Sequence, residues 1–458
     1  MKSLFRTKSI ESILEGAKKN SLKKTMGALD LVLLGVGATV GTGIFVLTGI
    51  AAAQHAGPAI SISFFLAGLV CIFAGLAYAE LASSVPVAGS AYTYSYAVLG
   101  EFVAWLVACG LALEYTVAAS TVAAGWSGYF LGIVSQAGFH IPEYLTKPPV
   151  EGGFVNLPAV CIALFIGLLL YRGTKESMIV NRILVAVKLL VIFLFLYVAA
   201  PHIEMKNYAD FMPYGWNGVL MGAGAIFFAY LGFDSVATTA EECKNPGRDL
   251  PIGIIVGLLI CTALYIAVSL ALTGIVDYKT LANAEPMARA LRDVGSNIGS
   301  ALVGTGAVVG MITVLLVMMY GQSRIFFAMS RDGLLPEFFS KTHKKYETPY
   351  LSCLFVTIAV SILSGFTSLK TMGHMSSLGT LFAFCVVSIG VIALRIKRPD
   401  LPRKFKCPAV YITAPLAVFS CGYLIISLLM ETGKPIIIWF SFGILFYFLY
   451  SRKKSKLS

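Results

Sequence analysis

The feature that most constrains the fold of this chain is a succession of long stretches that carry almost no charge. Of its 458 residues, 57% are hydrophobic and only 13% are charged, whereas soluble domains carry about 25% charged residues. A helix that crosses a bilayer needs about 20 predominantly apolar residues. We therefore predict an all-α integral membrane protein with twelve membrane-spanning helices. The predicted spans are 28–53, 58–82, 98–135, 155–172, 179–201, 216–241, 250–276, 296–330, 349–367, 371–394, 407–430 and 434–451.

The basic residues predict which side of the membrane each loop faces, because Lys and Arg accumulate in cytoplasmic loops. With the N-terminus inside, 27 of the 35 Lys and Arg residues lie in cytoplasmic segments and 7 in the opposite loops, while Lys188 lies within a span. Both termini are therefore expected in the cytoplasm. The expected location is the plasma (inner) membrane. The net charge is +12, and we expect the basic terminal tails to contact anionic headgroups of the lipid bilayer rather than nucleic acid.

Several classes of protein are disfavoured by what the chain lacks. The nine cysteines are scattered without CxxC spacing, so we predict neither a disulfide framework nor a metal site. No loop combines a nucleophile, a base and metal ligands, which argues against an enzyme and against a cofactor. No repeated filter or charged ring occurs in the spans, which argues against a channel.

The first span contains an unusual run of glycines, GVGATVGTGIF, from Gly35 to Phe45. In hydrocarbon each unsatisfied backbone group costs several kcal/mol, so an unwound segment persists only where it lines a cavity or binds something. Glycines permit such unwinding. They could equally form a small-residue surface for close helix packing, and the run by itself does not decide between the two.

The sixth span carries a second irregular segment, GAGAIFFAYLGFDSVATTAEE, in which Asp234 follows Gly232 closely. Spans one and six lie an odd number of spans apart, so a duplicated five-helix unit would insert upside down relative to its partner. Two interrupted helices at corresponding places of inverted halves favour a binding site at the membrane midplane.

These two motifs carry a family resemblance. The run in span one, and FFAYLGFDSVATTAEECKNPGRDLP from Phe227 to Pro251, resemble the amino acid-polyamine-organocation (APC) superfamily, and the second motif resembles its cationic amino acid transporter branch. The resemblance implies a LeuT-like fold, a five-plus-five inverted repeat with helices 1 and 6 discontinuous and two further C-terminal helices. The repeats would be 28–201 and 202–394, followed by helices 11 and 12 in 395–451, with tails 1–27 and 452–458.

The resemblance also implies which residues bind an L-amino acid. Backbone N–H groups of the first interruption would hold the carboxylate, with one threonine adding its hydroxyl, and carbonyls of both interruptions would hold the ammonium. One aromatic residue would form a lid, and a methionine of span eight would fill the pocket, or simply pack between helices. The implied residues are Thr39, Val40, Gly41, Thr42, Gly43, Phe228, Ala229, Tyr230, Leu231 and Met318. For Tyr230 a lipid-facing or interfacial position is the alternative.

The ionisable residues inside spans that we single out are Lys188, Glu114 and Asp234, because the cost of a charge there makes each a functional candidate. Lys188 lies one to two turns into span five, and it either snorkels to the interface or, as the resemblance implies for proton-driven members, contacts carbonyls of span one. Glu114 could contact a cationic substrate, carry a proton, or pair with Lys188 or a backbone amide. Asp234 is predicted to order a gate by hydrogen bonding, with direct substrate contact as the alternative.

The function that follows is secondary active import of L-amino acids by proton symport with alternating access. A positive Lys188 opposes a cationic side chain, so a neutral or broad range is favoured over Lys, Arg or ornithine. A facilitative exchanger shares every motif, and an amino acid sensor on the same fold is a further alternative. The sequence gives no indication of the oligomeric state or of a small membrane subunit.

Overall fold

The computed structural model of the protein describes residues 6–11, 24–87, 90–173, 178–346 and 348–456, without the side chains of 178–181 and 431–432. Most of the predicted N-terminal tail and the last two residues therefore lie outside the described part. Within the described ranges the chain forms helices and turns, and its only extended pairing is an isolated bridge between Met26 and Cys243.

The helices follow one another with short connections. We label as α2 the helical segment 43–56, in which π-helical turns Gly43–Leu47 and Ala52–Ala56 flank the α-helical turn Thr48–Ala51. The α-helices are α1 Ala28–Thr39, α3 Ile60–Ser84, α4 Ser90–Val98, α5 Glu101–Gln136, α6 Leu157–Arg172, α7 Met178–Ala199, α8 Gly215–Ile226, α9 Ser235–Thr238, α10 Pro246–Ile275, α11 Pro286–Asp293, α12 Asn297–Arg331, α13 Tyr350–Phe366, α14 Leu369–Lys397, α15 Val410–Phe446 and α16 Arg452–Lys454.

Nine helical stretches in these described ranges are long and apolar enough to cross a membrane, and three shorter apolar helices, α1, α6 and α13, accompany them. Each of the twelve predicted spans coincides with a helical segment. The predicted all-α membrane architecture is therefore confirmed, while the number of crossings stays a prediction.

The outer surface of the bundle is apolar. Large hydrophobic side chains of α7 and α15 are exposed, among them Tyr197, Phe419 and Met430. A soluble protein rarely exposes contiguous apolar surface of this extent, whereas hydrocarbon covers it without penalty. The exposed faces of these helices therefore agree with a chain that lies in a bilayer.

The segment between the second and third predicted spans contains helix α4, which none of the predicted spans included. Its tyrosines are buried against the bundle, where the hydroxyl of Tyr92 donates to Asp332 at 2.8 Å and that of Tyr96 to Glu101 at 3.1 Å. Asp332 lies 240 positions from Tyr92, and a partner at that distance is invisible to local periodicity.

The predicted loop between the last two spans, at 431–433, was also wrong. Helical hydrogen bonding continues from Val410 to Phe446 through this region. Pro435 lies within the helical stretch, although an interior proline removes one helical hydrogen bond and clashes with the carbonyl four residues before it, so the local signals for a loop were insufficient to end the helix. Two apolar stretches remain distinguishable, Val410–Met430 and Gly433–Lys454.

The packing of the helices places the two irregular segments inside the bundle. Helix α1 packs against α10 and α7, while α5 packs against α12 and α14. The π-helical turn that opens α2 contacts the 3-10 turn Phe227–Tyr230 that follows α8. The centre of the protein is therefore formed by irregular backbone enclosed by regular helices.

Candidate functional site

The first interruption lies between α1 and α2. Helix α1 ends at Thr39, and Val40 has an extended conformation with φ −74° and ψ 103°. The carbonyl of Gly41 accepts the N–H of Phe45 at 3.2 Å, and this bond belongs to the opening turn of α2. Because the first N–H groups of a helix have no partner within it, we expect the N–H groups of 41–43 to be available at the interruption.

The second interruption lies between α8 and α9. Helix α8 gives way to the 3-10 turn Phe227–Tyr230, after which Leu231 has an extended conformation. Gly232 then has φ +106°, a conformation that residues with a Cβ rarely adopt. The backbone of this segment thus departs from α-helical geometry over six residues or more.

The two interruptions touch each other through their glycines. A Cβ atom on Gly43 would lie 2.3 Å from the Cα of Ala229, and a Cβ atom on Gly232 would lie 2.7 Å from the carbonyl oxygen of Ala38. No side chain fits at either position without moving backbone atoms. Gly43 of span one and Gly232 of span six therefore allow the two spans to approach each other closely at their interruptions. Helix interruption and close helix packing, the two alternatives for the glycine run, occur together here.

The hydroxyl of Tyr265 on α10 links the carbonyls of both interruptions. It lies 3.0 Å from the carbonyl oxygen of Thr39 and 2.8 Å from that of Ala229, and the side chain is fully buried. Sequence reasoning missed this residue. A tyrosine inside an apolar span was the available signal, but nothing in its neighbourhood indicated which backbone it would reach.

The other residues predicted for the ammonium are buried as well. Val40, Phe228 and Leu231 are almost completely enclosed. The carbonyl of Phe228 accepts the N–H of Leu231 at 3.1 Å. Three of the carbonyls expected for an ammonium, those of Thr39, Phe228 and Ala229, therefore already lie within hydrogen-bond distance of a donor, and an ammonium would replace or share it.

Tyr230 lies in the interior of the bundle and not at a lipid-facing position. Its side chain is fully buried, its hydroxyl donates to the carbonyl of Phe64 at 2.7 Å, and its ring packs on Tyr265 with centroids 5.4 Å apart. The lipid-facing alternative was wrong. A role of Tyr230 in substrate binding stays a prediction.

One face of α12 lines the first interruption. The hydroxyl of Thr42 donates to the sulfur of Met311 at 3.3 Å, and the side chain of Val314 would lie 3.1 Å from a Cβ on Gly41. Met318, the residue predicted from span eight, is one turn further along and buried. Met311 was missed, although it lies seven residues before Met318 and therefore on the same helix face.

Lys188 lies deep inside the protein. Its side chain is 1% exposed, its Nζ donates to the carbonyl of Gly37 on α1 at 2.6 Å, and its methylene chain packs against Gly310 of α12. The snorkelling alternative was wrong because a snorkelling ammonium would reach the surface. The contact with α1 is the one that the family resemblance implied, whereas its role in proton coupling stays a prediction.

The two carboxylates predicted as site residues are buried around the second interruption. Asp234 precedes α9, and its Oδ2 accepts the hydroxyl of Tyr115 at 3.3 Å. Glu114, the neighbour of Tyr115 on α5, packs against Gly379 of α14. One Glu114 oxygen has no hydrogen-bond partner among the described residues. Asp234 thus has the hydrogen bond expected of an ordering residue, and its role as a gate stays a prediction.

The comparisons with known proteins agree with this arrangement. The family model described as amino acid permease matches residues 26–451, which includes both interruptions, Lys188 and both buried carboxylates. The chain belongs to the amino acid permease family. This match confirms the resemblance to the APC superfamily, and it makes the protein a multi-pass membrane protein of amino acid transport.

Three relatives illustrate where this permease lies among transporters. It is 48% identical to the branched-chain amino acid permease BcaP of Bacillus subtilis, over 100% of this chain and 99% of that protein. It is 45% identical to the methylthioribose transporter of Bacillus subtilis, over the full length of both chains. It is 38% identical to the vacuolar cationic amino acid transporter 4 of Arabidopsis thaliana, over 87% of this chain and 68% of that protein. All three are permeases or transporters by name.

Proposed function

We propose that this permease is a secondary active transporter that imports L-amino acids across the plasma (inner) membrane by proton symport and alternating access. Its twelve spans would form the five-plus-five inverted repeat with two further C-terminal helices, both termini in the cytoplasm. The observation that carries the proposal is the contact of the two interruptions at Gly43 and Ala229. Peptide groups freed from helical hydrogen bonds inside a membrane protein are suited to a zwitterion.

Each end of an amino acid has a matching set of backbone groups. The N–H groups of 41–43 lie at the N-terminus of α2, where the helix dipole favours an anion, so they suit the carboxylate. The carbonyls of Thr39 and Ala229 suit the ammonium. In our proposal the ammonium takes the place that the hydroxyl of Tyr265 occupies between these two carbonyls.

The substrate class that we favour is neutral and aliphatic, branched-chain amino acids above all. The side chains around the interruptions are apolar or sulfur-containing, as at Val314, Met311 and Phe228. A protonated Lys188 nearby repels a cationic side chain. The similarity to BcaP supports the same class, while the similarity to cationic transporters keeps Lys and Arg as the second candidate.

Lys188 is the proposed proton carrier. When protonated, it holds α7 against α1 through the Gly37 carbonyl and favours amino acid binding. When it loses its proton, the contact weakens and the substrate is released to the cytoplasm. Glu114 and Asp234 would order the gate next to the second interruption. Glu114 would also be a second residue that can carry a proton.

The experiment that tests the function uses the purified protein in liposomes. We expect L-leucine, L-isoleucine and L-valine to accumulate inside when the exterior is made acidic, and to compete with one another. L-arginine, L-lysine and methylthioribose are the comparison substrates. Accumulation of L-arginine alone would favour the cationic alternative. Counterflow without accumulation would identify an exchanger, and binding without either would identify a sensor.

Replacing the linking hydroxyl tests the ammonium site. We expect Tyr265→Phe to bind L-leucine about fivefold more tightly, because the ammonium no longer displaces a hydrogen bond of about 1 kcal/mol. Calorimetry on the detergent-solubilised protein measures this affinity. Tyr208→Phe is the matched control, since its hydroxyl also donates to a backbone carbonyl, that of Leu270, and the residue is not part of the proposed site. Equal affinities in the two variants would contradict the proposed ammonium site.

A further inference from the structure

Gln322 on α12 is fully buried, and its side-chain amide has no hydrogen-bond partner among the described residues. The residue is 0% exposed, and neither its Nε2 nor its Oε1 has a partner, although an amide offers two donors and an acceptor. The next residue, Ser323, shows the ordinary arrangement, because its hydroxyl donates to the carbonyl of Tyr320 at 2.8 Å. Most buried polar side chains have at least one partner, so Gln322 is an exception that requires a reason.

The position of Gln322 on α12 relates it to the first interruption. Met311 and Met318 precede it by eleven and four residues, spacings that return to the same face of an α-helix, and the sulfur of Met311 accepts the hydroxyl of Thr42. Eleven residues correspond to about 16 Å along a helix. In the predicted topology α12 runs from the exterior to the cytoplasm, so Gln322 lies on the cytoplasmic side of the first interruption.

Gln322 lies at the height of Asp234 in the bundle. The residue before it, Gly321, packs on α5, where a Cβ would lie 2.8 Å from the ring of Tyr115. The hydroxyl of Tyr115 donates to Asp234 at 3.3 Å, and Asp234 follows the second interruption. Gln322 and Asp234 are both almost completely enclosed. The cytoplasmic half of the bundle, which we call the inner half, is therefore closed at this height.

The unpaired amide raises the free energy of the closed inner half. Met318 and Phe326, one helical turn to either side of Gln322, are apolar and buried. A buried donor or acceptor that is left unsatisfied loses the hydrogen bonds that it would make with water. Water that enters when the helices of the inner half separate supplies those bonds. The open form therefore gains hydrogen bonds that the closed form lacks.

We propose that Gln322 is a positioning residue of the transport cycle, whose unpaired amide makes closure of the inner half costly and thereby promotes the opening that releases the amino acid to the cytoplasm. This proposal rests on the proposed transport function for the step that Gln322 controls. An apolar side chain of the same size would stabilise the closed form, because it loses nothing on burial. The amide thus lowers the stability of this form and raises the rate at which it opens.

The test compares two variants of similar size and opposite polarity. Gln322→Met keeps an unbranched chain without the amide, whereas Gln322→Glu keeps a polar end. Hydrogen exchange of α1 and α9 in the detergent-solubilised protein, followed by mass spectrometry, reports the opening of the inner half. We expect exchange about tenfold slower than wild type in Gln322→Met and at least as fast as wild type in Gln322→Glu.

Two further measurements accompany the exchange experiment. The melting temperature of Gln322→Met should rise by a few degrees. In liposomes its kcat for L-leucine should fall about fivefold to tenfold without an increase in KM, because the substrate contacts are unchanged. Gln136→Met is the matched control, since it removes an exposed amide at the end of α5, and it should leave exchange, melting temperature and kcat unchanged.

The outcomes separate this proposal from the proposed function. Faster exchange or a lower melting temperature in Gln322→Met overturns it, because the amide would then stabilise the closed form. Unchanged exchange and kcat also overturn it while leaving amino acid transport intact. Equal slowing in Gln322→Met and Gln322→Glu overturns it in favour of a packing effect. A wild-type protein that transports none of the tested amino acids overturns the proposed function, whereas the exchange experiment needs no substrate and still decides whether Gln322 promotes opening.

Discussion

Replacing Gly43 by alanine is expected to abolish transport while the protein still inserts into the membrane. The added Cβ would lie 2.3 Å from the Cα of Ala229 and 2.5 Å from its Cβ, and neither atom belongs to a side-chain end that can rotate away. Overpacking of this kind costs about 1 to 3 kcal/mol. We expect the initial rate of L-leucine uptake in liposomes to fall about a hundredfold, with a melting temperature lower by a few degrees.

Gly422→Ala is the matched control for this variant. Gly422 lies in α15, and a Cβ added there would meet no heavy atom within 4 Å. It makes the same chemical change in a helix, where alanine is favoured over glycine by about 1 kcal/mol, without touching the centre. If Gly43→Ala takes up L-leucine as fast as Gly422→Ala, the contact between Gly43 and Ala229 is not needed for transport. That result would remove the main support for the proposed site.

Lys188→Met is expected to abolish accumulation driven by a pH gradient. Methionine keeps an unbranched chain that can pack on Gly310, but it cannot donate to the Gly37 carbonyl or carry a proton. The variant should therefore resemble a permanently deprotonated Lys188. We expect about tenfold weaker L-leucine binding that no longer varies with pH. Uptake should stop when the internal concentration of L-leucine equals the external concentration.

Two measurements make this result specific. Lys206→Met removes an exposed lysine from the loop after α7 and should leave accumulation unchanged. Counterflow of L-leucine, which needs no net proton movement, should persist in Lys188→Met at a reduced rate. If Lys188→Met still accumulates L-leucine according to an imposed pH gradient, the proton carrier lies elsewhere, and Glu114 becomes the first residue to test.

The buried acidic side chain of Glu80 was not singled out from the sequence, although it is one of the most enclosed charges in the protein. It accepts hydrogen bonds from the guanidinium of Arg395 and, at 2.6 Å, from the N–H of Cys407. These partners lie more than 300 positions away. A carboxylate at the end of an apolar span carries no local signal that distinguishes such a fixed ion pair from a solvated charge.

The sequence by itself determined the membrane environment, the helical class and the family, and it indicated where the two interruptions were to be expected. These properties depend on quantities that are read along the chain, namely apolar length, the distribution of charge and runs of glycine. The lysine in span five was also identified, because an ammonium inside an apolar stretch is costly wherever the chain folds, whereas its expected contact with span one came from the family resemblance.

The tertiary structure alone decided what these features contact. It brought Gly43 against Ala229, placed the Tyr265 hydroxyl between carbonyls that lie 226 and 36 positions away, and enclosed Tyr230, which the pattern allowed to face lipid. Such contacts depend on how whole helices pack, and helix packing in a membrane rests on van der Waals fit and hydrogen bonds between helices. Neither can be computed from the order of residues within one span.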